Sequence, residues 1–117
     1  MNTVRLILYP ATDVPKTKEF FTTLLGTEPY VDSKPYVGFK AGDVEIGLVP
    51  KGMQGAPSAA IAYVDVADIK AALETLLAAG AEKGQDITDV GYGLLVASVK
   101  DPNGTPIGLR QHPSQKA

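Results

Sequence analysis

The feature that most constrains this chain is that it runs one pattern twice. Ile46-Gly47-Leu48 closes the first half, and Ile107-Gly108-Leu109 closes the second. Leu24-Leu25-Gly26-Thr27-Glu28 is answered by Leu76-Leu77-Ala78-Ala79-Gly80-Ala81-Glu82. A module of under about 60 residues buries too little apolar surface to fold alone, whereas two can bury a shared face. The halves, about 1–50 and 59–112, flank a Gly- and Pro-containing linker at 51–58. A length of 117 residues then reads as one domain, 1–117, made of two tandem modules.

Each half predicts the same order of elements. Thr3 to Tyr9 is rich in Val, Leu and Ile and reads as a strand that stops at Pro10. Asp13 or Thr12 can cap a helix with Pro15 in its first turn, and Gly26 suits its end. Phe20, Phe21, Leu24 and Leu25 recur at helical spacing and are expected in the core. Strands follow at Glu28 to Val31, Tyr36 to Lys40 and Val44 to Val49, with Ala41-Gly42-Asp43 as a tight turn between the last two. The second half gives a strand at Ala60 to Val66, a helix at Asp68 to Ala79 ended by Gly80, and strands at Glu82 to Ile87, Leu94 to Val99 and Thr105 to Gln111. Asp101-Pro102-Asn103-Gly104 turns the last pair, with Asn-Gly supplying positive φ angles. The fold class is therefore α+β: two tandem β-α-β-β-β modules forming a curved mixed sheet around a cavity.

Composition removes several functions. With no cysteine there is no disulfide, thiolate metal site or thiol nucleophile. The single histidine, His112, lies near the polar tail and is expected in solvent, so no triad with a buried imidazole can form. Lys and Arg are scattered and the net charge is −2, so no basic stripe points to nucleic acid. The apolar run at Val4 to Tyr9 is far too short to span a membrane or to act as a signal segment. A cytoplasmic location is the expectation. Gly91-Tyr92-Gly93 is not a nucleotide-binding motif, because no helix start follows it.

Asp13 with Phe20-Phe21 and Leu24-Leu25-Gly26, Val66-Ala67-Asp68-Ile69 with Leu76 to Gly80, and Asp101-Pro102-Asn103-Gly104 running to Gln111 together resemble the glyoxalase/bleomycin-resistance/dioxygenase (vicinal oxygen chelate) superfamily. The resemblance extends from Val4 to Gln111. It implies a site where enzymes of the group hold one divalent metal through His, Glu or Gln on the first and last strands of each module. The matching positions here are Leu6, Gly47, Ile61 and Gly108, none of which can ligate a metal through its side chain. The fold carries over, and neither a metal nor any other cofactor is expected.

Strand alternation then assigns a wall. Leu6, Leu8, Ile61, Tyr63 and Asp65 face the concavity with Glu45, Gly47, Gly108 and Arg110, while Ile7, Tyr9, Val64 and Val66 face the helices. Gly47 and Gly108 either open space for a ligand or relieve crowding where a strand bends. With the first, an apolar wall with two glycine gaps and a few polar anchors suits a small organic ligand, aromatic ones included. One reading is a metal-independent binding protein like the sequestering antibiotic-resistance members. A second is a metal-free lyase or isomerase, with Glu45 or Asp65 as general base and Tyr63 or Arg110 polarising a carbonyl. A third is an interaction module without a small ligand. Open sheet edges and apolar rims predict a homodimer.

Overall fold

The computed structural model describes residues 2–54 and 56–113, so Gly55 of the linker lies outside the described residues. The chain divides into two compact units, 5–61 and 1–4 with 62–117. Each repeats the order strand, helix, strands, as the sequence predicts, and each carries a mixed sheet.

In the first unit β1 (Thr3–Ala11) leads into α1 (Val14–Leu25), then β2 (Val31–Asp32), β3 (Val37–Ala41) and β4 (Val44–Pro50). β1 runs parallel to β4, while β3 pairs antiparallel with both β4 and β2. Pro10 does not end β1 as expected: it stays opposite Val49, and Ala11 opposite Pro50. Proline's fixed φ fits extended backbone and removes only a donor. Asp13 caps α1, its Oδ1 accepting from Lys16 N at 3.1 Å, and Gly26 ends the helix in the left-handed region at φ 71°. Phe21, Val37, Phe39, Ile46 and Leu48 form the core, with Ile7, Tyr9 and Leu25 packed on it. Tyr9 meets Phe21 edge-on at 5.1 Å between ring centroids. Phe20 and Leu24, expected in the core, are 59% and 63% exposed. Phe20/Leu24 and Phe21/Leu25 are both i,i+4 pairs, turned about 100° apart on the helix, and only one can face the sheet.

The second unit contains β5 (Ile61–Asp65) from Ala62 onward, α2 (Ile69–Ala78), β6 (Glu82–Lys83), β7 (Thr88–Asp89), β8 (Leu95–Lys100) and β9 (Pro106–Gln111). β5 lies parallel to β9, and β8 is antiparallel to β9, β6 and β7. The single strand expected over Glu82 to Ile87 is broken. Five residue steps from Lys83 to Thr88 face only three on β8, and Ser98 Oγ accepts from Gln85 N at 2.7 Å within that bulge. In the Asp101 to Gly104 turn only Gly104 has positive φ, 85°. Asp101 Oδ1 fixes the turn instead, accepting from Asn103 N and Thr105 N. Val66, Ile69, Leu73, Ala97, Val99 and Leu109 make the core.

Gln111 is a buried polar residue beside this core, 2% exposed, and its Oε1 accepts from Ile69 N at 2.7 Å. Asp68 accepts from Ala71 N, so two side chains satisfy the open N-terminus of α2. Gln111→Leu should leave the Ile69 N–H buried without an acceptor and cost about 1–2 kcal/mol. Faster hydrogen exchange confined to the first turn of α2, with a lower denaturant midpoint, is the expected readout.

Candidate functional site

β4 carries Glu45 and Gly47 on the face opposite its core residues Ile46 and Leu48. Register sets Leu6 beside Glu45 and Leu8 beside Gly47. Gly38 and Lys40 of β3 flank Gly47 and Glu45 from the other side. Two tyrosines absent from the expected wall close on this face. The Tyr30 hydroxyl donates to Glu45 Oε1 and the Tyr36 hydroxyl to Oε2. Tyr30 is half exposed, and the Lys40 ammonium stands over its ring, 4.9 Å from the centroid.

Gly47 does not open onto empty space. A Cβ built there would lie 2.4 Å from Tyr36 Oη and 2.7 Å from Cε1, so the glycine gives room to the protein's own tyrosine. Gly108 repeats the arrangement in the second unit. It is opposite Tyr63 in the β5–β9 ladder, and its Cβ would fall 2.3 Å from Tyr63 Cδ2. Both glycine gaps of the expected wall are therefore filled by aromatic rings. Leu6 and Ile61 are also buried, and so offer little surface to a ligand.

On the same face of the second unit, Asp65 pairs with Arg110. Arg110 Nε donates to Oδ1 at 2.7 Å and Nη2 to Oδ2 at 3.3 Å, with the side chains 12% and 15% exposed. His112 is not a free tail residue, since its Nε2 lies 3.3 Å from Asp65 Oδ2. The polar anchors of this unit thus satisfy one another.

Burial pushes the Tyr63 phenol above its ordinary value of 10.0. The folded state favours neutral Tyr63, so its contribution is intact below about pH 10, where the unfolded phenol still holds its proton. That contribution should fall as pH rises further, through the higher folded value. Alkaline unfolding of wild type against Tyr63→Phe checks this: the Phe variant should lose less stability above about pH 10.

Two clefts lie away from these faces. One, of about 480 Å³, is bounded by helix-side residues including Val64, Val66, Ala72, Leu76 and Leu109. The other, of about 350 Å³, sits between the start of α1 and the β2–β3 turn, with Lys18 and Asp32 at a 2.7 Å ion pair on its rim. Among the described residues, no helix is long and apolar enough to cross a membrane.

The model of the Glyoxalase/Bleomycin resistance protein/Dioxygenase superfamily matches residues 3–109. The chain belongs to this superfamily. Solved structures agree on the fold. A superfamily member from Vibrio splendidus 12B01 aligns with TM-score 0.70 at 17% identity, covering 96% of this chain and 100% of that one. Hypothetical protein BH1468 from Bacillus halodurans C-125 aligns at 0.76 and 13% identity, covering 95% and 94%. A Streptomyces coelicolor methylmalonyl-CoA epimerase variant in complex with 2-nitronate-propionyl-CoA aligns at 0.70 and 15%, covering 97% and 99%. No curated protein matches.

The divalent metal of the superfamily's enzymes does not fit the residues present here. The positions that the resemblance assigns to it hold Leu6, Gly47, Ile61 and Gly108, and tyrosine rings occupy the space that a ligating side chain at either glycine would take. Glu45 engages one tyrosine with each oxygen, while Asp65 faces a guanidinium that would repel a cation. Among the described residues no group of three His, Cys, Asp or Glu side chains comes together to hold a metal.

Proposed function

We propose that this member of the superfamily binds a small organic molecule without a metal ion, on the Glu45 face of its first unit. One observation carries the reading: two tyrosine hydroxyls from outside the regular strands converge on a single carboxylate, one on each oxygen. Half-exposed aromatic surface beside a fixed polar anchor is the usual chemistry of a small-molecule site. The role is sequestration, like that of the superfamily's antibiotic-resistance members, and the chain works as a homodimer.

The same geometry weighs against the lyase or isomerase alternative. A general base must turn a carboxylate oxygen onto the substrate proton, and a carboxylate tied at both oxygens is not free to turn. Glu45 has a donor on each oxygen and Asp65 is held in a two-point guanidinium pair. A screen of small aromatic compounds by amide chemical shifts should give responses clustered at Tyr30, Tyr36, Glu45 and Gly47. Tyr30→Ala should weaken the hits by about tenfold, the loss of roughly 1.4 kcal/mol, and added chelator should change nothing. Responses confined to the second unit, or binding that requires a divalent metal, would reject the reading.

A further inference from the structure

The hydrogen-bond inventory of Glu45 defines the chemical class of the ligand, given that the Glu45 face binds a small molecule. An ionised carboxylate accepts only, with about two lone-pair directions on each oxygen. Here each oxygen takes one phenol hydrogen, from Tyr30 and from Tyr36, which leaves acceptor capacity on both. Among the described residues no cation stands within ion-pair distance of this carboxylate. Lys40, its direct partner across β3–β4, lies over the Tyr30 ring instead. A group that completes the cluster must donate hydrogen bonds, and a positively charged donor bonds a carboxylate most strongly.

We infer that the Glu45–Tyr30–Tyr36 cluster recognises a nitrogen cation that bears N–H donors, a primary ammonium or an amidinium/guanidinium, on a small organic molecule. The Tyr30 ring already holds one ammonium, that of Lys40, so its face suits a second cationic or aromatic group from the ligand. Lys40 is then an internal competitor: it occupies the ring and adds like charge beside the incoming cation. A purely structural cluster would not respond to that charge.

Titration with four matched probes, benzylamine, benzamidine, benzyl alcohol and phenylacetate, tests this by amide chemical shifts. Benzylamine and benzamidine should bind about tenfold or more tightly than the neutral and anionic probes, as charge-assisted hydrogen bonds require. Glu45→Gln should abolish that preference. Lys40→Met, an exposed change that spares the fold, should tighten benzylamine binding by about threefold through loss of like charge. Benzyl alcohol or phenylacetate binding at the same residues as tightly as the amines would overturn the cation assignment and leave the small-molecule reading intact. Unchanged benzylamine affinity in Lys40→Met would also count against it. Failure of all four probes to bind at this face would overturn the cation assignment, and a neutral or anionic hit there in the wider aromatic screen would still support the small-molecule reading.

Discussion

Gly108→Leu should destabilise the protein by on the order of 3 kcal/mol, the upper end of what overpacking a filled site costs. The added Cβ alone would lie 2.3 Å from Tyr63 Cδ2, 2.5 Å from Cε2 and 2.7 Å from Cγ. Cγ moves only by rotation about the Tyr63 Cα–Cβ bond, so the ring cannot swing aside without leaving its rotamer. A drop in thermal midpoint on the order of 10 °C is the expected size for a domain this small. Gly47→Leu should cost less, because the atoms it meets are Oη, Cε1 and Cζ, at the far end of Tyr36. That ring can move, at the expense of its hydrogen bond to Glu45. Adding Tyr63→Ala to Gly108→Leu should restore part of the loss. Equal, small midpoint shifts at both glycines would mean the rings do not fill those places.

The repeat, both helices and the two caps of α1 were legible because they rest on local chemistry. Asp13, Pro15 and Gly26 each act within one turn of the chain, and they stand where their backbone preferences put them. Strand alternation was equally local: Val64 and Leu109 face the helix side, while Tyr63, Gly108 and Arg110 do not. What the sequence hid were choices between equivalent local options. Phe20/Leu24 and Phe21/Leu25 have the same spacing, and only packing against the sheet selects the second pair. Tyr30 and Tyr36 lie outside the core strands, fifteen and nine residues before Glu45, so no periodicity links them to its carboxylate. The glycines carried a signal with two meanings, space for a ligand or relief of crowding, and local pattern does not choose between them. A glycine on a sheet face makes room for something, and a tyrosine in register on the next strand, as Tyr63 is with Gly108, is a ready occupant.

Asp65→Ala is expected to be the other costly change, by about 3 kcal/mol or more, although Asp65 is a single carboxylate near the end of a strand. The reason is what it leaves behind. Arg110 is only 12% exposed on its side chain, and among the described residues both of its contacts to a carboxylate, at 2.7 and 3.3 Å, are to Asp65. Guanidinium cannot shed its charge by deprotonation, so removing Asp65 strands a cation in a poorly hydrated place. His112 cannot substitute, since an imidazole brings no negative charge to the guanidinium. The penalty belongs to the broken pair and not to the pair's net worth. Replacing both partners, as Asp65→Leu with Arg110→Met, should therefore recover most of the stability. His112→Ala, at a contact that is 38% exposed, should cost well under about 1 kcal/mol. Urea unfolding of the three variants, read as midpoint shifts at constant slope, separates these cases. A loss within about 1 kcal/mol for Asp65→Ala, or no recovery in the double variant, would show that Arg110 finds water or another acceptor once Asp65 is gone.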